Sequence, residues 1–364
     1  MTTRRSPRDV VSDPASDDVP VERDERDRAL AARRWLDVSG LVIAAALCGW
    51  ILVSAAARGG TPVPQIGLLL VCTAALIAAR FATSLKRWIA PLAVLASAIG
   101  VAAVSGDGIL STRPLEGPFG YANAKSGFAA MAAVAGLMLW HAGGWPRVLG
   151  LLGAIAAGIV PFASDSTVAS AVVIGAIIIA LVGYWRPIVR PAIVLCAASF
   201  FVILGATVYV GATHVDTDTP DERGSIVSRE ALWHDAIEEV RGDPLVGVGP
   251  GRFSEFSPTS MSDPDDAHWA HQAFLQQAAE TGIVGGGLLV ALFVWAFVRL
   301  LVVDRPDAVT ALAGFVVAAL GVMSCVDYVM HFPAIPIAAS ALVGTGMMSG
   351  RSRSRSTARI TEGP

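Results

Sequence analysis

From Trp35 onward the chain runs through long, uninterrupted apolar stretches separated by short polar breaks, and one polar stretch, from Thr213 to Gly282, is far longer than the rest. The apolar runs span 36–57, 64–82, 88–105, 122–141, 147–163, 167–185, 191–212, 283–303, 308–326 and 333–349. Each is about as long as a helix must be to cross a hydrocarbon core of roughly 30 Å, and none shows the period-two alternation of a membrane β-strand. The pattern therefore predicts an all-α, polytopic helical membrane protein with about ten transmembrane helices. Seven fall in 36–212 and three in 283–349, with a helical loop domain over 213–282 between them. Residues 1–35 mix Arg, Asp, Glu, Ser and Pro with few large apolar side chains and read as a disordered tail. Residues 350–364 read as a basic tail.

Composition agrees, since 54% of the residues are hydrophobic and only 16% charged, far from an ordinary soluble domain. Membrane lipids are the expected surroundings and no nucleic-acid partner is expected. A formal net charge of -3 carries little meaning here, because what orients a membrane protein is how Lys and Arg divide between the two sides. With the N-terminus inside, 20 of the 27 Lys and Arg residues fall on the cytoplasmic side. The seven outside are Arg58, Arg113, Lys125, Arg223, Arg229, Arg241 and Arg252. Both termini are thus expected in the cytoplasm and the loop over 213–282 outside it. Arg113 and Lys125 sit in short outside connections, where cations are disfavoured, so they are candidates for a purpose beyond topology; the alternative is interfacial snorkelling. Cys48, Cys72, Cys196 and Cys325 all fall in apolar runs and read as packing residues. Arg4-Arg5 lacks the apolar stretch of a signal peptide, leaving the first membrane helix as the targeting element.

Within the long loop, Ser225–Val240 predicts a helix with Ile226, Trp233, Ile237 and Val240 on one face. Arg229 shares that face, and an inward Arg needs an anion. The partner is either an internal carboxylate or a phosphate, which a guanidinium binds bidentately without losing its charge. A second helix is expected from the acidic cap at Asp263-Pro264-Asp265-Asp266 to Gly282, placing His271 with Phe274, Leu275 and Ala278 and His268 one turn earlier. An extracytoplasmic His at a membrane mouth serves either as a packing residue or as a general base. Histidines three apart without a third ligand are a weak metal signal, so metal binding is a minor alternative and neither metal nor cofactor is the expectation. Gly247-Val248-Gly249-Pro250-Gly251 lacks the strand and helix of a phosphate-binding loop and reads as a structural turn. Glu280 lies at the entry of the eighth membrane helix, where it caps, orients or joins the site.

These features together resemble the O-antigen ligase and polymerase superfamily. The resemblance rests on Arg229 ahead of Trp233, on DPLVGVGPGRF over 243–253, on AHWAHQAFLQQAAETGIVG over 267–285, and on GPFGYANAK over 117–125 before a membrane helix. Two positions depart from the family pattern. Gln272 stands where Asn is usual, and Ser164-Asp165-Ser166-Thr167 occupies the place of Ser-Arg-Gly. The resemblance implies a metal-independent, inverting glycosyltransferase in the bacterial plasma membrane, acting on a polyprenyl diphosphate-linked glycan donor at the outer face. It implies a glycan, lipid or protein hydroxyl as acceptor, with His271 orienting or deprotonating that hydroxyl and Arg229 neutralising the leaving diphosphate. Arg113, Arg223, Asn123, Lys125, His268 and Glu280 are then candidate substrate-binding residues. The competing readings are a transporter and a non-catalytic envelope-assembly protein; against transport, the central parts of the expected spans are almost free of ionisable side chains.

Overall fold

The computed structural model describes residues 20–104, 121–213, 226–262 and 268–348, and among them there is helix and no strand. Ten apolar helices make the bundle: α1 (Pro20–Arg58), α2 (Val63–Leu85), α3 (Ile89–Val104), α4 (Ala122–Ala142), α5 (Arg147–Ala163), α6 (Thr167–Val182), α7 (Arg186–Thr213), α11 (Ala273–Leu301), α12 (Ala308–Val326) and α13 (Ala334–Gly346). Between α7 and α11 lie α8 (Ile226–Gly242) and the short α9 (Phe253–Phe256) and α10 (Pro258–Ser262). Six of the bundle helices, α1, α2, α4, α7, α11 and α12, are long and apolar enough to cross a membrane. The other four are apolar but shorter, although each falls on one of the expected runs.

The centre of the bundle is α4 with α12, whose Ala- and Gly-rich sequences are buried on nearly every side. Small residues let backbones approach, and packing of that kind replaces the hydrophobic effect as the source of helix association in lipid. Between α4 and α5 the approach is closest at Gly136 and Gly150, where a Cβ on Gly136 would stand 2.4 Å from the Gly150 carbonyl oxygen. Outward-facing Leu195, Val202, Phe81 and Leu70 stay exposed, as lipid contact allows.

Two ends of the bundle differ in chemistry. At one end, which we call the far end, Arg80 makes a bidentate pair with Asp37 at 2.7 and 2.8 Å, Arg299 Nε donates to the same carboxylate at 2.7 Å, and Arg87 pairs with Asp307 at 2.5 Å. Asp307 also caps α12, accepting from the Val309 and Thr310 amides. At the other end α8 lies across α7 and α11, burying Leu232, Trp233 and Ala236 against Phe253, Leu275 and Ala279. Asp235 ties α10 to α8 by accepting from Ser257 Oγ and the Thr259 amide at 2.5 and 2.9 Å.

Two boundaries differ from expectation. Helix α1 begins at Pro20, inside the stretch read as a disordered tail. The segment is rich in Glu, Arg, Ala and Leu, good helix formers that extend a helix already nucleated by its apolar part. The second loop helix does not start in the acidic segment; it starts at Ala273 and continues into the membrane helix as one element. Residues 263–267, where the acidic cap was expected, lie outside the described residues. Helix α11 kinks at Thr281-Gly282, with Gly282 at φ 73°. A Cβ there would lie 1.8 Å from the Leu245 carbonyl oxygen, so only glycine fits.

Candidate functional site

The loop end gathers its polar side chains around the junction between α12 and the 3-10 turn Val329–His331. Asp327 ends α12 in extended conformation and is 6% exposed. It accepts from Tyr121 Oη at 3.0 and 2.9 Å, from Asn123 Nδ2 at 2.9 Å, and from the Tyr328 amide at 2.8 Å. Tyr121 and Asn123 stand at the start of α4, and Tyr121 stacks on Tyr328 and Phe332. Burial first, and the Asp327 charge second, hold the Tyr121 phenol well above its ordinary range, so it stays a donor.

His271 faces this carboxylate, with Nδ1 3.7 Å from Asp327 Oδ1. The approach is longer than a hydrogen bond, and Nδ1 is buried with no hydrogen-bond partner. The ring meets Tyr328 edge-on at 4.6 Å. Burial is the largest cause of a pKa pushed down to about 4; the Arg229 charge adds to it, and Asp327 opposes it. The imidazole is thus neutral near pH 7. His271 is also one of two non-glycine residues described with positive φ, at 51°. This left-handed step costs energy for a side chain with a Cβ and turns His271 out of the helix that follows. The expected sharing of a helical face with Phe274, Leu275 and Ala278 is therefore incorrect.

The local sequence explains the break. Gln272 is fully buried and caps α11, accepting from the Leu275 amide at 2.7 Å, while its Nε2 donates to Thr207 Oγ1 on α7 at 3.2 Å. A side chain held at both ends fixes where the helix can begin, and His271 sits just before it. His268 is exposed, and Trp269 instead lies against His331 with ring centroids 3.8 Å apart. The expectation that both imidazoles border one pocket fails with the helix that would have aligned them.

Arg229, on α8, projects to the same region. Its Nη1 donates to the Val326 carbonyl oxygen at 3.0 Å, and among the described residues it pairs with no carboxylate. Arg229, Asn123, Asp165, Ser166, Thr167 and Asp327 line a polar cleft of about 200 Å³. The stretch Asp165–Thr167, one of the departures noted above, therefore borders the cleft and places Asp165 where the resemblance implies a cation. Lys125 is half-buried in the first turn of α4, two residues beyond Asn123. Arg113 and Arg223 lie outside the described residues.

Glu280 does not join the cleft. It is fully buried at the α11 kink, accepting from the Gly251 amide at 2.8 Å, from Gln276 Nε2 at 3.0 Å and from Gln65 Nε2. The Val248 and Gly249 amides donate to the Ala279 and Glu280 carbonyl oxygens at 3.0 and 2.9 Å, and the Ile283 amide to Pro244 O at 2.9 Å. The glycine turn is thus pinned against the backbone of the kink, as a structural turn would be. Glu280 instead borders a second, larger and mostly apolar cavity of about 390 Å³, together with Gln65, Trp269, Gln276 and His331.

Asp327 is the residue that motif reading missed. The signal was present: it is a carboxylate at the very end of an apolar run, in SCVDYVMHF, and an ionisable group at such a place is a site candidate by default. Among the described residues no group of three or more His, Cys, Asp or Glu is arranged to hold a metal ion.

Residues 151–290 match the family model described as O-Antigen ligase. The matched range includes most of α5, all of α6 to α8, Arg229, the glycine turn, His271 and the kinked half of α11. No curated protein matches the chain. The family match supports the O-antigen ligase superfamily.

Proposed function

We propose that this chain, a multi-pass membrane protein aligned with the O-antigen ligase superfamily, is an inverting glycosyltransferase that moves a glycan from a polyprenyl diphosphate carrier to a hydroxyl acceptor. The reaction runs at the outer face of the plasma membrane. The observation that carries the reading is a neutral His271 set against Asp327, beside an Arg229 that pairs with no carboxylate among the described residues.

Diphosphate is a good leaving group, so the needs are charge stabilisation and alignment. Arg229 supplies the cation. Because Asp165 and Asp327 also border the cleft, a diphosphate needs a second cation beside Arg229, and among the described residues Lys125, in the first turn of α4, is the candidate. With Nδ1 turned to Asp327, Nε2 of His271 takes the proton of the acceptor hydroxyl as its oxygen attacks the anomeric carbon. The bond from that carbon to the diphosphate oxygen breaks on the opposite side, which inverts the centre. The imidazolium then forms beside Asp327, which stabilises it and tightens the 3.7 Å approach into a hydrogen bond. Asn123 and Tyr121 hold the carboxylate in place. Glu280 acts at a distance, by fixing the kink and turn that carry α8 and α11.

The test is glycan analysis in cells whose own copy is replaced by His271→Ala or Arg229→Ala. Carrier-linked glycan should accumulate and transferred product should vanish, with the protein still in the membrane. Normal product from both variants overturns the reading. A reporter joined after residue 250 should be extracytoplasmic, and a cytoplasmic reporter would displace the site from its substrates.

A further inference from the structure

The far end of the bundle carries a feature that glycosyl transfer does not use. Helix α1 packs on α11 and α2 packs on α13, while α1 and α2 touch each other little. The gap between them is an apolar trough of about 200 Å³, lined by Leu41, Ala44, Leu69, Ile77, Leu292 and Phe293 among others, with Asp37 and Arg80 also in its wall. Leu69, Cys72, Phe293 and Ser340 line both this trough and the larger cavity beneath the loop, so the two adjoin. Leu41 and Ile77 are about half exposed, which opens the trough sideways to lipid.

The charges in and just behind its wall carry a surplus of cation, Asp37 and Arg80 lining the trough and Arg299 lying buried behind Asp37. Asp37 is a single carboxylate serving two guanidiniums, Arg80 and Arg299. Arg33 next to it is neutralised separately by Asp304. Arg299 is 5% exposed, and its Nη1 is buried without a hydrogen-bond partner. A buried guanidinium with an unused donor is costly unless an anion completes it. The depth is that of lipid headgroups: Trp35, two residues before Asp37, is 73% exposed, and Trp145 and Trp185 are exposed in the other connections at this end. Exposed Trp side chains of this kind settle at the membrane–water interface.

We infer that Asp37, Arg80 and Arg299 bind the phosphate headgroup of one anionic phospholipid, with an acyl chain lying in the trough between α1 and α2. The net charge of the three side chains is one positive, which complements one phosphodiester. Asp37 already takes both Arg80 Nη atoms and Arg299 Nε, so the phosphate meets the donors that remain, Arg80 Nε and the unpartnered Arg299 Nη1, as charge-assisted hydrogen bonds. The site lies at the end of the bundle opposite the Arg229 cleft and does not depend on the proposed reaction.

The full chain, purified in detergent and stripped of lipid, would be titrated with phosphatidylglycerol, phosphatidylcholine or soluble glycerophosphate. Thermal unfolding and lipid retention by native mass spectrometry would be read together. Phosphatidylglycerol should raise the unfolding midpoint and stay bound as one molecule, whereas the other two should do neither. Arg80→Gln, which leaves Asp37 paired one-to-one with Arg299, should weaken phosphatidylglycerol retention roughly fivefold, the effect of one cation near an anionic headgroup. Ala44→Phe should block retention by filling the trough without touching a charge. Equal retention of phosphatidylcholine, an equal effect of glycerophosphate, or unchanged retention in Ala44→Phe overturns the inference. If Arg80→Gln does not fold, Ala44→Phe and the lipid comparison decide.

Discussion

Arg229 at the loop end is used differently from the arginines of the far end, although the loop end too has matched pairs such as Arg58 with Asp243. At the far end Arg33, Arg80, Arg87 and Arg299 are each set against an Asp from a different part of the chain, Arg80 and Arg299 sharing Asp37, so charge works there as a clamp between helices with one cation to spare. At the loop end Arg229 rests on a backbone carbonyl, and among the described residues the nearby Asp327 is occupied by Tyr121, Asn123 and the Tyr328 amide rather than by a Lys or Arg. A carboxylate satisfied by neutral donors keeps its field available to a neighbour, and an arginine that meets no carboxylate among the described residues keeps donors for an anion. Ion pairs matched inside a protein hold structure; ion partners kept apart across a cleft await a third party.

The most severe test of this contrast is Asp327→Asn. If its charge supports the imidazolium of His271, transfer should drop by roughly 10²-fold or more, the scale of a lost general-base system. The cap should stay folded, because the amide still accepts one hydrogen bond from Tyr121. Near-normal rates in purified protein would make Asp327 a packing group and erase the difference between the ends.

Arg229→Gln should cost about 10²-fold, the usual loss of one charge-stabilising donor in a transition state. It also carries a pH signature. Arg229 helps hold the His271 pKa down near 4, so its removal should raise that pKa and move the acid limb of the pH–rate profile upward. Asp327→Asn should shift the limb downward, since Asp327 opposes the lowering. A common direction for both variants would show that His271 is not the titrating base.

Smaller effects separate clamp from cleft further. Glu239 on α8 is pushed up to about 9, by burial first and then by the charges of Asp235 and Glu280, and both its oxygens are buried without partners. The folded cap therefore holds a proton that the unfolded chain releases above about 4.5. This contribution is complete below that pH and is lost as pH rises toward 9. Glu239→Gln should flatten the decline of the unfolding midpoint between pH 5 and 9, and an unchanged slope would count against the buried proton. Smallest of all, Arg87→Gln at the far end should cost roughly 1 kcal/mol or less in denaturation and leave transfer intact, because both partners are partly exposed and Asp307 keeps its capping role. A loss of transfer there would mean that the clamps also tune the cleft.

Much of the bundle was legible because each helix needs only its own apolar length to form in lipid, and every expected run became a helix. The Gly247–Gly251 turn was legible too, since its role follows from local backbone freedom. His271 was singled out by its motif but set on the wrong local structure. The start of α11 depends on Gln272 reaching Thr207, a contact 65 residues away in sequence. Asp327 escaped notice because it belongs to no spaced motif; only folding brings it to Tyr121 and Asn123 on one segment and His271 on another.

The sequence by itself determined an all-helical membrane protein with a polar loop bearing Arg229 and His271, because hydropathy and local spacing act over a few turns of helix. Tertiary structure decided which ions are spent on each other and which are left over. That division depends on distance and burial between parts of the chain far apart in sequence, and a carboxylate such as Asp37 or Asp327 looks the same in a sequence whether it meets an arginine or a tyrosine.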